Sequence, residues 1–472
     1  MAPILKIASL DGTVYADLLA GVLKLEDQSW TTRTAQVVAE YSHEAYGAQP
    51  AFSHYAPVVE EIELSGKDTG ANLIAAMANL DTYLASARRW HTGRHQSDSY
   101  WLNHCAAGET AARRALIYEG SLKILTGHGL DPMLTNAAVK ARLQVTRHPL
   151  WEAAASTTQT TTAFTLWANK WILSSVPGNE PARIRDLAVK PRNAGGGPLY
   201  RLWIGLKPQG VSCTNFDPVW ELEDGTNGAT ATDTIDATAS QGYKVQVAFA
   251  VTATLASRMT ITAGQAAIRY SHMNYSHYIG NYLVLCRCRV TTGATIRLQL
   301  RIGYTNSVTT IPCEEVFVSN SAWRLIPIGV ISLPPHGYRD QLAAAANVGI
   351  TQLQVWAEHV AGTAATDVLD LDAVQLIPAD HFAYIEAADV EYRPSDDTPA
   401  HCFTFEDDTD LACGYRYGKP SLTIDWSMSD FYLPLGQGCV VIAGERSASH
   451  VLTEANDLSV EYLPRWLAYR SS

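Results

Sequence analysis

The chain is poor in the features that mark several large classes of protein. It has 472 residues and only 6 methionines, and no run approaches the ~20 apolar residues of a membrane-spanning helix. Positive charge is not in surplus: the formal net charge is -12, which excludes the basic stripe of a nucleic-acid surface. GxSxG, HExxH and P-loop patterns are absent, so the common nucleophile, zinc-protease and phosphate-cradle signatures are missing. The eight cysteines (105, 213, 286, 288, 313, 402, 413 and 439) include no CxxC and no metal-ligand spacing. They read as buried thiols. Cys286 and Cys288 share one face of NYLVLCRCRV, a poor arrangement for a mutual disulfide. The opening MAPILKIASLDG has no basic segment ahead of a long apolar run. The expectation is therefore a protein made without a secretory leader and soluble in a cytoplasm.

What is present favours β-sheet. Twelve Trp and 22 Tyr fit a pleated surface, where aromatic and β-branched side chains pack well. At roughly 100–200 residues per domain, the length predicts three or four units. ILKIASLDGTVYADLL alternates apolar and polar residues around Asp11-Gly12 and predicts a hairpin. VVEEIELSG (Val58–Gly66) predicts another strand. The stretch from Asp68 or Thr69 to about Trp90 predicts a helix. Its Leu73, Ala76, Met77, Leu80, Leu84 and Ala87 form one core-facing stripe, and Gly93 follows as a stop. SYWLNHC, RRALIYEGSLKIL and ARLQVTRHPLWE complete a first unit, residues 1–152.

The uncharged, Thr-rich Ala155–Phe164 reads as an exposed strand or a linker entering one. PGNEPARIRDLAVKP and PLYRLWIGLKP read as two more strands about a Gly-rich turn at 195–197. Residues 153–210 are too few for a domain, and the β-rich 381–472 would complete them as one discontinuous sandwich. Between these segments, 211–380 carries short strands punctuated by Gly, Pro, Asn and Ser, the pattern of a sandwich inserted at a loop. RDQLAAAANVG within it reads as one or two helical turns. The expected class is mainly β: a β-rich first domain with one long helix, then a discontinuous sandwich interrupted by another.

Candidate sites follow from residue chemistry. RYSHMNYSHYIGNY concentrates Tyr270, His272, Tyr275, His277, Tyr278 and Tyr282 between strands. Aromatic faces stack on sugar rings while OH and NH groups orient them, so these residues are glycan-contact candidates; a packed amphipathic strand pair is the other reading. Trp356 alternates with Leu353 and Val355 and could line the concave face of a sandwich, whereas Trp220 and Trp323 read as core. His91 and His95, with His104 nearby, have a zinc-compatible spacing, but Gly93 between the first two argues for a loop. The run Glu406, Asp407, Asp408, Asp410 reads as a solvated loop rather than a glycosidase pair. No catalytic residue is assigned, and the chain is not expected to be an enzyme.

Two resemblances follow from these residues. The stretch from FDPVWELEDGTNG and DATASQG to LQVWAEHV and LDLDAVQLIP is similar to jelly-roll carbohydrate-binding modules. That resemblance implies a structural calcium between first and last strands, and Glu221, Glu223 and Asp372 match its positions; solvent-facing carboxylates are the alternative. The flanks resemble siphophage distal-tail (baseplate hub) proteins. The basis is the order of strands, helix and TRHPLWE, then the closing LGQGCVVIAG and SVEYLPRW. This implies a virion protein of the tail tip, assembled in the host cytoplasm. It would form a homo-oligomeric ring, commonly a hexamer, between the tail tube and the tail-tip hub. An inserted module would stabilise the tip or touch host-surface glycan, with neither nucleic acid nor membrane insertion as a partner. A non-phage glycan-binding adhesin or accessory carbohydrate-binding protein is the alternative.

Overall fold

Alternation of buried and exposed side chains, the mark of a strand with one face on a core, recurs in many of the described strands. In the strand Val58–Asp68 it runs unbroken, with Ile62 and Leu64 fully inside. The computed structural model describes residues 3–9, 12–29, 35–41, 48–55, 57–92, 99–106, 109–128, 130–167, 169–191, 199–207, 213, 216–224, 226–227, 231–249, 254–261, 280–304, 310–333, 351–363, 365–379, 382–386, 400–405, 412–413, 423–425, 432–433, 438–446 and 455–466. Among these the protein is mainly β, as expected, with one α-helix.

In the first unit, Ile4–Ala8 pairs antiparallel with Val14–Asp17, which is the expected hairpin, and on its other edge with Trp101–Cys105. Val58–Asp68 pairs residue for residue with Ala137–Arg147, which pairs in turn with the long strand Arg113–His128. The helix Gly70–His91 lies on this sheet. Its N-terminus is capped by Thr69, whose Oγ1 accepts from the Asn72 N–H at 3.2 Å, satisfying a donor that would otherwise have no intrahelical partner. Leu73, Met77, Leu80, Leu84 and Ala87 are buried as the stripe predicts, while Ala76 is only half-buried. The helix closes at Thr92, whose Oγ1 donates to the Arg88 carbonyl at 2.9 Å; Gly93 lies outside the described residues. Gly120 lets helix and sheet meet, because a methyl group there would come within 2.6 Å of both Leu84 Cδ2 and the Gln144 carbonyl oxygen.

A short strand, Trp151–Ala153, carries the sheet onward. One edge pairs with Arg113–His128 and the other with Ala455–Trp466, through Trp151 opposite Trp466 and Glu152 opposite Arg465. Buried charge surrounds this seam. Arg114 Nε donates to Glu152 Oε1 at 3.1 Å, Arg465 lies on the other oxygen at 3.9 Å, and Arg147 donates to Glu60 at 3.0 Å and 2.5 Å. The guanidinium groups of Arg114 and Arg147 also lie over Trp101 and Trp151, each 4.4 Å from the ring centroid. Such pairs tolerate burial because each charge is matched and hydrogen-bonded; removing one partner strands the other.

Beyond the seam, two facing sheets are built from both ends of the remaining chain. One contains Thr157–Thr165, Ala455–Trp466, Glu180–Pro191, Ala400–Phe405 and Ala412–Cys413. The other contains Trp171–Ile172, Cys439–Arg446, Leu199–Lys207, Phe382–Glu386 and Thr423–Asp425. Thr157–Thr165 is largely exposed, as its composition predicts.

Among the described residues, strands between Val219 and Pro378 pair only with one another, in two further sheets. Val219–Glu221 pairs with Val368–Pro378, so the first and last strands of the stretch are neighbours. This stretch is self-contained in its strand pairing but not in its core. Phe216, Trp220, Leu285 and Leu376 belong to one hydrophobic cluster with Trp203, Val441 and Ala443 of the surrounding sandwich. Polar contacts cross the same boundary: Lys207 Nζ donates to the Tyr282 hydroxyl at 2.6 Å, and Arg324 pairs with the fully buried Glu445. Gly205 makes the approach possible, since a Cβ there would stand 2.7 Å from the Pro378 ring and overlap its carbonyl oxygen.

Two stability changes follow. Gly205→Ala should cost about 1–3 kcal/mol by forcing Pro378 away, read as a shift in the urea midpoint of full-length protein. Glu60→Ala should cost about 3–5 kcal/mol by removing the carboxylate that matches the buried Arg147 guanidinium, whereas Glu60→Met with Arg147→Met should recover most of that loss.

Candidate functional site

The outer face of one sheet between Val219 and Pro378 carries an organised polar and aromatic surface. In Thr295–Tyr304 the residues Ile296, Leu298 and Leu300 point into the core, so Arg297, Gln299 and Arg301 point out. In the neighbouring Thr351–Ala361, Val355 and Ala357 are buried, which puts Gln354, Trp356 and Glu358 on the same outer face. Register aligns them: Arg297 opposite Glu358, Gln299 opposite Trp356, Arg301 opposite Gln354. On the far side, Thr310–Val318 places Phe317 opposite Arg297 and Glu315 opposite Gln299.

These side chains hold one another in place. Arg301 lies 4.0 Å over the Trp356 ring and donates from Nε to Gln299 Oε1 at 2.7 Å. Gln299 donates to Glu315 at 3.1 Å, and Arg297 bridges Glu315 at 2.9 Å and Glu358. Trp356 Nε1 donates to Gln354 Oε1 at 2.9 Å. Partial burial moves the Arg301 pKa down from the ordinary arginine value. A half-buried indole flanked by amides, guanidinium groups and carboxylates, with the 62%-exposed Phe317 at the margin, can stack on a sugar ring and orient its hydroxyls.

The second constellation joins the ends of the same stretch. Ser240 is central: its Oγ donates to Glu221 Oε2 at 2.5 Å and lies 2.7 Å from Asp372 Oδ1, which also accepts the Ser240 backbone N–H at 2.9 Å. The other Asp372 oxygen accepts from Arg287 Nη1 at 2.5 Å, and Arg287 stacks on Trp323. Burial pushes the Glu221 carboxyl up to about 7 and that of Glu223 to about 8; the charge of Asp372 adds to both shifts. Burial also raises Asp372, against the opposing pull of Arg287.

These three carboxylates do not fit calcium as one ligand set. Asp372 uses both oxygens on Ser240 and Arg287, and a guanidinium already supplies the cation that a buried carboxylate needs. Among the described residues no three His, Cys, Asp or Glu side chains are grouped so as to hold a metal ion. The alternative of solvent-facing carboxylates does not describe Asp372, which is fully buried, or Glu221, which is 5% exposed, while Glu223 is half-buried.

The remaining candidates separate cleanly. Trp356 lies on the outer sheet face, and Trp220 and Trp323 are buried. Tyr282 is fully buried, its hydroxyl accepting from Lys207 Nζ, whereas Tyr270, His272, Tyr275, His277 and Tyr278 lie outside the described residues, as do His95 and the run Glu406 to Asp410. The side chain of His91 is likewise undescribed, and His104 is buried near Trp151. Sequence reasoning passed over Arg297, Gln299, Arg301, Gln354 and Glu358, although TIRLQLRIGY and TQLQVWAEH display the alternation that assigns them to one face. It also passed over Ser240 and Arg287, whose roles depend on which strands become neighbours.

No family model matches the chain, and no curated protein matches it. Solved structures with some similarity include the SPP1 Dit protein (gp 19.1), described as a paradigm of the hub adsorption apparatus in phages infecting Gram-positive bacteria. It is 9% identical, with 78% of this chain and 99% of that chain covered and a TM-score of 0.21. Another belongs to the phage p2 baseplate in its activated conformation with strontium: 8% identical, 77% and 99% covered, TM-score 0.21. A third, the same baseplate with calcium, is 8% identical, with 80% and 99% covered and a TM-score of 0.22.

The raised carboxylates predict a pH dependence. Glu221 and Glu223 ionise near 4.5 when unfolded and near 7 and 8 when folded, so the folded state holds protons that the unfolded chain releases. Their contribution is complete below the unfolded value and is lost as pH rises through about 7–8. The melting temperature of full-length protein should fall between about pH 5 and pH 9, and Glu223→Gln should flatten that fall.

Proposed function

We propose that this chain is a structural component of a phage tail tip, of the distal-tail or baseplate-hub kind. It assembles with copies of itself into a ring, hexameric in the usual arrangement, between the tail tube and the tail-tip hub. The observation that carries this reading is the insertion architecture. A helix-bearing β-unit runs by continuous strand pairing into a sandwich made from two separated segments, and that sandwich holds a second two-sheet unit between them. The proposed division is 1–152, 153–210 with 381–472, and 211–380. Such a chain suits a scaffold that builds a ring with one part, here 1–152, and points the sandwiches outward; the residues that resemble distal-tail proteins lie on both flanks of 211–380. The role is structural rather than enzymatic, and its place is the virion.

The inserted unit, in the same proposal, is a jelly-roll carbohydrate-binding module that presents the sheet face around Trp356 to glycan on the host surface. Weak single sites would gain from repetition around the ring, because simultaneous engagement multiplies affinity without new contacts. Tyr270, His272, Tyr275, His277 and Tyr278 remain proposed contacts of the same kind. The Trp356 face is equally what a free-standing glycan-binding adhesin would need, and assembly separates the two readings.

Electron microscopy of purified full-length protein should show rings or tail-tip particles; a strict monomer at high concentration would refute the tail reading. On a glycan array, full-length protein should bind a subset of surface polysaccharides. Trp356→Ala should weaken that binding about tenfold or more, as loss of a central aromatic contact does. The whole chain is the proper reagent, because the inserted unit shares its core with the surrounding sandwich.

A further inference from the structure

Cationic groups on the outer face around Trp356 are not matched evenly by carboxylates. In register, Arg297 stands between Glu358 on one neighbouring strand and Phe317 on the other, and Gln299 between Trp356 and Glu315. Arg301, further along the same strand, stands between Gln354 and Pro312, neither of them acidic. The carboxylates of Glu315 and Glu358 therefore gather at the Arg297 end. Glu315 accepts from Arg297 at 2.9 Å and from Gln299 at 3.1 Å, and Glu358 is bridged by Arg297.

Arg301 is half-buried and held by neutral groups. It lies over the Trp356 ring, 4.0 Å from the centroid, and its Nε donates to Gln299 Oε1 at 2.7 Å. Gln299 is itself fixed, because its amide nitrogen donates to Glu315. The terminal amino groups of Arg301 make no hydrogen bond or ion pair among the described residues. Burial first, then the charge of Arg297, lowers the Arg301 pKa, with Glu315 acting in the opposite direction. The cation is thus partly desolvated, positioned in advance and short of a counter-ion.

We propose that Arg301 is an anion-recognition point on this face and that the glycan it serves is acidic: the carboxylate or phosphate of the saccharide takes the terminal amino groups of Arg301 while a sugar ring lies against Trp356. A guanidinium presents its N–H groups as a planar fork that matches two oxygens of one anion, and a uronate, a sialate and a sugar phosphate all offer that pair. The chain as a whole carries a net charge of -12 and repels polyanions, so a preference for acidic glycan requires a local site rather than general attraction. Arg297 does not compete for the anion, being matched already by Glu315 and Glu358. This inference rests on the glycan-binding reading of the face and narrows its ligand class.

Full-length protein is tested on an array of uronic-acid, sialylated and phosphorylated oligosaccharides, each printed beside its neutral counterpart, and the pairs that bind are titrated by calorimetry. The acidic member of a pair should bind about tenfold or more tighter than the neutral one, and the preference should shrink as salt rises from about 0.05 M to about 0.5 M. Comparison of the uronate, sialate and phosphate pairs identifies the anion. Arg301→Gln should abolish the preference while keeping the melting temperature and the binding of neutral members; Arg301→Lys, which keeps the charge without the fork, should retain part of it. Trp356→Ala should weaken both members of a pair. Equal binding of acidic and neutral members by the wild-type protein, or a preference that survives in Arg301→Gln, would overturn this inference and leave the glycan reading standing. No binding to any oligosaccharide would overturn both.

Discussion

The pairing of the strand Ala455–Trp466 is the constraint on which the rest of the architecture depends. It meets Trp151–Ala153, Thr157–Thr165 and Glu180–Pro191, all from the first two-fifths of the sequence. Through the first of these it continues the sheet of the helix-bearing unit; through the others it closes the discontinuous sandwich. Its register is set by burial: Leu458, Val460 and Tyr462 point into the core, and a one-residue slip would turn all three to the opposite face. Without this strand, long rows of backbone donors and acceptors on its neighbours would lose their partners.

The seam and the insertion illustrate two ways of joining β-units. At the seam, a continuous hydrogen-bonded sheet is reinforced by buried Arg–Glu pairs and by arginines over tryptophans, which confine the orientation because a displaced charge is left without its partner. At the insertion, no backbone ladder crosses among the described residues; a common hydrophobic cluster and a few polar contacts join the units instead. Packing of this kind permits close approach only where side-chain volume allows, which is why Gly205 sits against Pro378. The sheet face around Trp356 is therefore carried on a shared core rather than on a tether.

Much of the fold was legible in the sequence, but the candidate site only in part. The helix announced itself because 3.6-residue periodicity and its cap are local properties, and Thr69 with Leu73, Met77, Leu80 and Leu84 needs nothing distant to be recognised. The Thr-rich exposed strand and the Asp11-Gly12 hairpin were equally local. Glu221 and Asp372 occupy the first and last strands of one unit, and those strands pair. Their chemistry was not legible. Arg287 reaches Asp372 from a strand placed midway along the chain, and Ser240 joins both carboxylates from a turn.

By itself, then, the amino-acid order determined the elements: alternating strands, one capped helix and the residue types able to stack on a ring. Each depends on neighbours within a few positions, where propensity and periodicity act. The tertiary structure alone decided that Trp356 is flanked by Arg301 and Gln354 and that Asp372 is matched by a guanidinium. The physical reason is the same in each case. Register and packing between segments far apart in sequence are set by the summed burial of whole sheets, and no local pattern carries that sum.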